Sequence, residues 1–177
     1  MALDVVTFGH STRTQDEIAR LLHHHGVTAV ADVRTVPRSR RHPHVAKDEL
    51  ERWLPEAGIA YRHFPGLGGL RRPRPDSPNA GWRNASFRGF ADYMATDEFR
   101  ESLEAFLAWA AGFDRTALMC SEAVPWRCHR SLIADALLVR GITAGEVIGD
   151  AAPRVHKLTP FGRIEGGSVL YPADEAT

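Results

Sequence analysis

A strand, a helix and a second strand follow one another within the first 33 residues, and this unit constrains the fold more than any other feature. Residues 5–8 form a short β-branched and aromatic run that stops at Gly9, as is typical of a buried strand. The run 27–33 is apolar in the same way. Two such strands joined by one helix normally pair in parallel through a right-handed crossover. The chain is therefore expected to form a parallel α/β sheet.

The helix between these two strands carries its own start signal. Thr14 and Glu17 have the capping-box spacing, in which each side chain satisfies a free amide at the helix start. Ile18 and Leu22 then recur at helical spacing, and Gly26 is expected to end the helix. A helix at this position supports the proposed crossover.

The remaining sequence continues the alternation of strands and helices. Further strands are predicted at 59–64, 116–119, 146–148 and 154–158, and further helices begin near residues 47, 87, 96 and 128. The stretch 65–82 is rich in Gly, Pro and Arg, and its composition favours a flexible lid. We expect one α/β domain over residues 1–160, with a mostly parallel sheet of about five strands and helices on both faces, followed by a C-terminal tail over 161–177.

Composition excludes several classes of protein. A chain of 177 residues with 44% hydrophobic and 25% charged residues suits one globular domain and not a disordered or fibrous chain. No apolar run approaches the roughly 18 residues that cross a bilayer, and the N-terminal sequence has no basic and apolar leader. We therefore expect a soluble, cytoplasmic protein with no membrane partner. Its oligomeric state stays open.

Charge is distributed unevenly, although the formal net charge is zero. Residues 34–88 contain 12 Arg or Lys against 5 Asp or Glu, which favours an anionic partner about as much as a merely solvated loop. A nucleic-acid-binding module is one alternative, and it would contact phosphates through Arg38, Arg40, Arg41, Arg71, Arg72 and Arg74. The zero net charge counts against this alternative.

Three predicted strands are each followed by a loop with reactive or charged side chains. The first loop contains His10 and Ser11, the second contains Asp32 and Arg34, and the third spans residues 120–130. In an open parallel sheet, ligands bind at the carboxyl ends of the strands, where loops and helix N-termini converge. We therefore expect these loops to form one polar pocket.

The third loop contains both cysteines of the chain. Cys120 is predicted at a strand end and Cys128 at a helix start, where amides, the helix dipole and nearby guanidinium groups stabilise a thiolate. An unreactive buried thiol is the alternative for Cys120. The two cysteines are eight residues apart across a turn, and the sequence does not decide whether they pair.

The leading hypothesis is a pocket for a small anionic ligand such as a phosphate ester or a nucleotide. Its catalytic residues would be Cys120 as nucleophile or redox thiol, His10 as acid or base, and Glu122 as the group that orients an arginine or activates water. The ligand-binding residues would be Ser11, Arg34, Arg127 and Arg130. Whether the protein is an enzyme stays undecided.

A metal site is a further alternative, with zinc or iron held by Cys120, Cys128 and His129. No paired metal-ligand spacing supports it. Adjacent helical residues point about 100° apart, so the run from Cys128 to Arg130 cannot direct all three side chains to one point. We expect Cys128 or Arg130 to face the pocket and His129 to point elsewhere.

Six short blocks of sequence occur together around these residues: 8–11, 32–39, 67–69, 90–94, 118–122 and 128–131. Together they resemble the family called domain of unknown function 488 over about residues 5–148. The resemblance implies a cytosolic prokaryotic α/β protein and adds weight to the site residues above, without implying a reaction. The cysteine loop is also similar, more distantly, to that of the rhodaneses and cysteine phosphatases. In those families the arginine follows the cysteine by six residues, whereas Arg127 follows Cys120 by seven.

Overall fold

The computed structural model, which describes residues 3–173, is built around a sheet of six strands. The strands are β1 (Val5–Gly9), β2 (Ala29–Asp32), β3 (Ala60–His63), β4 (Thr116–Cys120), β5 (Gly145–Glu146) and β6 (Arg154–Val155). Their order is β3-β2-β4-β1-β5-β6, and every neighbouring pair is parallel except β5 and β6. The predicted α/β domain with a mostly parallel sheet is confirmed, and its sixth strand is the antiparallel edge.

Five α-helices occur in the described part of the chain: α1 (Gln15–His24), α2 (Lys47–Glu56), α3 (Ala85–Tyr93), α4 (Asp97–Ala110) and α5 (Arg130–Val139). Helix α1 begins as predicted, since Thr14 and Glu17 form both hydrogen bonds of the capping box. Helix α5 begins at Arg130, two residues later than predicted, with His129 at the N-cap. Within residues 3–173 no helix has the length and apolar character that spanning a membrane requires.

A separate apolar layer covers each face of the sheet. On one face Val6 packs with side chains of α1 and α2 such as Ile18 and Leu50. On the other face Val5 packs in the cluster that contains Phe90 and the buried side chains of α4 and α5. Neighbouring strand residues point to opposite faces. The helices of this fold therefore lie on both faces of the sheet.

The expectation of a C-terminal tail over residues 161–177 is wrong as far as residue 173. Strands β7 (Arg163–Glu165) and β8 (Ser168–Leu170) form an antiparallel hairpin, and Tyr171 after it is fully buried. The Tyr171 hydroxyl donates a 2.7 Å hydrogen bond to Asp135 on α5. The sequence signal that could have identified this hairpin is the Gly166-Gly167 pair, which has positive φ at both residues and separates two short strands whose Ile164 and Val169 lie opposite each other. Residues 174–177 lie outside the described residues.

The 65–82 loop is anchored and is not the flexible lid that its composition favours. The Asp92 carboxylate on α3 accepts hydrogen bonds from Arg74 N, Ser77 Oγ and Asn79 Nδ2, at 2.8, 2.6 and 2.7 Å. Asn79 is buried, and its side-chain oxygen accepts a 3.0 Å hydrogen bond from the backbone N–H of Tyr171. The loop and the C-terminal segment therefore hold each other in place.

Candidate functional site

A cleft of about 770 Å³ opens at the carboxyl ends of the parallel strands. The loops after β1, β2 and β4 line it, because β4 lies between β1 and β2 in the sheet. Backbone hydrogen bonds join these loops: His10 N donates to Cys120 O at 2.9 Å, and Val33 N donates to Met119 O at 3.0 Å. The structure thus brings together the three loops that the sequence singles out.

Most of the site residues proposed from the sequence line this cleft. They are His10, Ser11, Arg34, Cys120, Glu122, Arg127, Cys128 and His129. Arg130 does not line it. The loop after β2 adds four residues that sequence reasoning did not assign to this site, namely Arg38, Arg40, Arg41 and His42. Their position directly after Arg34, in the same strand-end loop, is the signal that could have identified them.

Gly9 permits the close approach of the loops after β1 and β4. A Cβ atom at this position would overlap the carbonyl oxygen of Glu122. The same carbonyl oxygen accepts a hydrogen bond from Nη1 of Arg130. Only a residue without a side chain lets the end of β1 pack directly against the cysteine loop.

Arg130 is buried behind the cysteine loop. Its Nη1 donates to Cys120 Sγ at 2.8 Å as well as to Glu122 O, and its Nη2 donates to Ala123 O at 2.9 Å. Its Nε has no hydrogen-bond partner among the described residues. Burial lowers the pKa of Arg130 to about 10, which still leaves the guanidinium charged at neutral pH. Arg130 therefore holds the loop in shape and places a positive charge against the Cys120 sulfur.

The structure brings the two cysteines together at a Cα separation slightly longer than the roughly 4.4–6.8 Å that a disulfide spans, so a bond between them requires a small shift of the loop. The sulfur atoms of Cys120 and Cys128 are in contact, and their Cα atoms are 7.5 Å apart. Cys128 lies in extended backbone before α5, and its sulfur accepts the backbone N–H of Arg130 at 3.4 Å. Both sulfurs therefore lie close to donors of the same arginine, one from its side chain and one from its backbone.

His129 faces the cleft, contrary to the expectation that it points elsewhere. Cys128 and His129 precede α5, so the angular separation of helical neighbours does not apply to them. The Nε2 of His129 donates to Val33 O at 2.9 Å and to Leu67 O at 3.0 Å, because carbonyl oxygens can only accept. Its Nδ1 therefore keeps a lone pair, which lies 3.7 Å from Cys128 Sγ. Burial lowers the pKa of His129 to about 4, so the ring is neutral near pH 7.

His10 is a second neutral imidazole in the cleft. Its Nδ1 donates to Ser11 O at 2.9 Å, which leaves a lone pair on Nε2. Nη1 of Arg34 lies 3.5 Å from that Nε2. Burial lowers the pKa of His10 to about 4. The lone pair of Nε2 therefore acts as a hydrogen-bond acceptor at neutral pH, with Nη1 of Arg34 as its neighbour.

Arg34 is largely committed to a neighbouring carboxylate. Its Nε and Nη2 donate to the two oxygens of fully buried Asp32 at 2.9 and 2.7 Å, and Nη2 also donates to Val45 O. Burial disfavours the charge of Arg34, but the bonds to Asp32 outweigh it and raise the pKa. The Tyr61 hydroxyl donates to the same carboxylate at 2.5 Å. Arg34 thus forms a neutralised pair that supports His10.

The other arginines give the cleft a positive charge. Arg38, Arg40, Arg41 and Arg127 line it with exposed side chains, and none of them pairs with a carboxylate of the described residues. Glu122 is the single carboxylate among the lining residues. Four unpaired guanidinium groups against one carboxylate leave a surplus of three positive charges, since both buried histidines are neutral. The electrostatics of the cleft therefore favour an anion.

The arginines of the nucleic-acid alternative do not share one environment. Arg71 lies over the Tyr93 ring, 3.6 Å from its centroid, and donates to Gly68 O. Arg74 pairs with Asp76 at 2.9 Å. Arg38, Arg40 and Arg41 line the cleft instead. The structure thus divides this set between the cleft and local contacts.

The proposed metal ligands do not assemble into a metal site. Between residues 3 and 173, no group of three His, Cys, Asp or Glu side chains is arranged to hold a metal ion. Cys120 and Cys128 contact each other, and Nε2 of His129 is hydrogen-bonded to two carbonyl oxygens. The sequence alone could not show these competing contacts.

Comparison with known proteins identifies a family. The family model described as "Domain of unknown function DUF488" matches residues 14–137, which include all the strands and helices from α1 to most of α5. Neither the curated proteins nor the solved structures contain a match to the chain.

Proposed function

This chain belongs to the family Domain of unknown function DUF488, whose name assigns no activity, and we propose that its cleft binds a small anion and acts on it through Cys120. The observation that carries this proposal is that four arginines without a carboxylate partner among the described residues and both cysteines line the same cleft. Guanidinium groups suit phosphate and carboxylate because their parallel N–H groups match two oxygens at once. The ligand class is therefore a phosphate ester, a nucleotide or a carboxylate of similar size.

The dimensions of the cleft agree with a ligand of that size. Its volume of about 770 Å³ lies within the range of small-molecule pockets. The anionic group would lie near Arg127 and Arg38, whose side chains are exposed, whereas Arg34 is already neutralised by Asp32. The arginines proposed to hold the anion therefore include Arg38 of the loop after β2 in place of Arg34.

The reactive group of the proposed enzyme is the Cys120 sulfur. The guanidinium of Arg130 donates to it at 2.8 Å, which favours the thiolate over the thiol once the cysteine is reduced. His10 offers a neutral Nε2 as hydrogen-bond acceptor, and Glu122 and Ser11 lie on the lining beside it. A strand-end cysteine, a loop and a helix follow in the order seen in rhodaneses and cysteine phosphatases, which supports nucleophilic chemistry by analogy alone.

A binding experiment with a matched control tests the anion site. Trp126 is exposed and adjoins Arg127, so its fluorescence can report titration with inorganic phosphate, adenosine 5′-monophosphate and uncharged adenosine. We expect Arg127→Ala to weaken binding of the monophosphate about tenfold, the effect of about 1.4 kcal/mol. Arg83→Ala removes an exposed arginine that does not line the cleft, and it should leave binding unchanged.

Two results would overturn this proposal. Equal binding of adenosine and its monophosphate would show that charge does not select the ligand. A single-stranded oligonucleotide that binds far more tightly than the mononucleotide, and loses affinity in Arg72→Ala, would establish the nucleic-acid alternative instead.

A further inference from the structure

We infer that Cys120 and Cys128 form a reversible dithiol–disulfide pair that exchanges with the disulfide of a small anionic thiol compound. The choice of an anionic substrate rests on the proposed function, whereas the exchange itself rests on the two sulfurs. The two sulfurs are in contact, and cysteines this close can pass between thiol and disulfide states. Both residues also line the same cleft.

Access to the sulfurs is confined to this cleft. Cys120 and Cys128 are 3% and 6% exposed, so a large protein disulfide cannot lie flat against them. A small disulfide can enter a cleft of about 770 Å³ and reach both. The substrate class is therefore a low-molecular-weight disulfide, and the arginines of the lining select for carboxylate groups on it.

The surroundings of Cys120 mark it as the attacking residue. The Arg130 guanidinium donates to its sulfur at 2.8 Å, and the hydrogen bonds to Glu122 O and Ala123 O fix that guanidinium in place. A buried positive charge held against the Cys120 sulfur stabilises a thiolate there.

The surroundings of Cys128 mark it as the resolving residue. Its sulfur lies 3.7 Å from Nδ1 of His129, the nitrogen that carries a lone pair. The reduced thiol of Cys128 can donate its proton toward that nitrogen, since Nε2 of the same ring is held by Val33 O and Leu67 O. The neighbour of Cys128 is thus a proton acceptor, whereas that of Cys120 is a positive charge, which assigns the second attack to Cys128.

The exchange balances without any further reactant. The Cys120 thiolate attacks one sulfur of R–S–S–R, the substrate S–S bond breaks, a mixed disulfide forms on Cys120, and RS⁻ leaves. Cys128 then attacks the Cys120 sulfur, and its proton passes by way of Nδ1 of His129 to the second leaving sulfur, which departs as RSH. The pair, which enters as one thiolate and one thiol, loses two electrons and one proton, and the substrate becomes one RS⁻ and one RSH. Excess RSH drives the same steps backwards.

The test uses the full-length protein and two small disulfides as probes. Reduced protein is mixed with glutathione disulfide, which carries carboxylates, or with uncharged 2-hydroxyethyl disulfide, and intact mass is followed over time. We expect wild type to lose two hydrogens without a lasting adduct. Cys128→Ser should accumulate a glutathione adduct on Cys120. Cys120→Ser should form the corresponding adduct on Cys128 at least tenfold more slowly. Glutathione disulfide should react at least tenfold faster than the uncharged probe, and Arg127→Ala should reduce this preference.

Each contrary result has a separate meaning. If wild type keeps two free thiols in excess glutathione disulfide, the exchange is overturned, and anion binding measured by Trp126 fluorescence can still hold. If the two serine variants form adducts at the same rate, the assignment of attacking and resolving roles is wrong. If both probes oxidise wild type equally fast and Arg127→Ala changes nothing, the anionic substrate is overturned while the dithiol pair stands.

Discussion

The buried histidines of the cleft and of the C-terminal cluster have pKa shifts of opposite direction. In the cleft, His10 and His129 bond to backbone carbonyl oxygens, and burial lowers the pKa of each to about 4. In the C-terminal cluster, which consists of Asp135, His156, Thr159 and Tyr171, burial also disfavours the charge of His156. There the bond to Asp135 outweighs burial and raises the pKa. The hydrogen-bond partner of each buried histidine therefore decides the direction of its pKa shift more than burial does.

The difference separates a region suited to chemistry from one suited to support. Each cleft histidine keeps one nitrogen lone pair, which faces the Arg34 guanidinium for His10 and the Cys128 sulfur for His129. In the C-terminal cluster, the Asp135 carboxylate accepts bonds from His156, Thr159 and Tyr171, each 2.7 Å long. Burial and the charge of Asp135 raise the pKa of Tyr171, which keeps its hydroxyl a donor. The hydrogen bonds to Asp135 in that cluster hold the segment from His156 to Tyr171 against α5.

The largest expected effect comes from removing the acceptor of the C-terminal cluster. Asp135→Ala leaves the charged His156 and the Tyr171 hydroxyl buried without a partner, so the free energy of unfolding in urea should fall by about 3–5 kcal/mol. Asp114→Ala, at an exposed carboxylate, serves as control and should change it by less than about 0.5 kcal/mol. A loss below about 1 kcal/mol in Asp135→Ala would show that the cluster does not fasten the segment.

The next largest effect expected is a decrease in the free energy of unfolding at acid pH, which the cleft histidines should cause. The unfolded chain binds protons on His10 and His129 near pH 6.5, while the folded chain resists them until about pH 4. The unfolded state thus binds more protons in this window, and stability falls as pH drops from about 6.5 to 4. The two histidines together contribute a slope of up to about 3 kcal/mol per pH unit. Urea unfolding across this range should show a shallower slope in His10→Gln, and an unchanged slope would contradict the neutral state of His10.

Removing one donor from the C-terminal cluster should have a smaller effect. Tyr171→Phe keeps the buried ring and deletes the hydrogen bond to Asp135, at an expected cost of about 2 kcal/mol in the free energy of unfolding. Tyr61→Phe is the matched change at the cleft, where the hydroxyl donates to Asp32. Neither change should alter anion binding, because Asp32 already neutralises Arg34 and the anion is proposed to lie near Arg127 and Arg38. A shift in anion affinity from Tyr171→Phe would show that the two regions are coupled.

The smallest effect expected is the pH response of His156, which runs opposite to that of the cleft histidines. Because its pKa is raised in the folded state, the folded chain binds the proton more tightly. Its contribution to stability is complete below about pH 6.5 and is lost as pH rises through the folded pKa. His156→Gln should therefore remove a modest alkaline decline in unfolding free energy. Nuclear magnetic resonance titration of the ring would check it directly, and a pKa at or below 6.5 would contradict the assignment.

Sequence reasoning reached the fold where local signals were strong. The capping box of Thr14 and Glu17 and the apolar strands 5–8 and 116–119 predict elements that the structure contains. The end of each parallel strand then locates the loops that line the cleft, because strand order alone brings them together. The C-terminal hairpin has a turn signal in Gly166-Gly167, but its attachment to α5 depends on single contacts such as that of Tyr171 with Asp135, which the sequence does not show.

Sequence reasoning was weakest where one residue type has several possible partners. The sequence does not distinguish the three arginines that it proposes for the ligand. In the structure Asp32 neutralises Arg34, whereas Arg127 is exposed in the cleft and Arg130 is buried against Cys120. Likewise, the short backbone before α5 turns His129 toward the cleft, a detail that depends on where the helix begins. Such differences follow from tertiary contacts across the loops and not from spacing along the chain.

The strand order also governs when the cleft can exist at all. Strands β1 and β2 are successive in the chain but never touch in the sheet, because β4 lies between them, and Val5 pairs with Thr116. A nascent chain that ends before residue 116 therefore lacks the central strand onto which its first two strands must join. Contacts of such long sequence separation slow folding and delay it until late in synthesis. The cysteine loop follows β4 immediately, so a nascent chain that ends before residue 116 contains neither the central strand nor the cysteine side of the cleft.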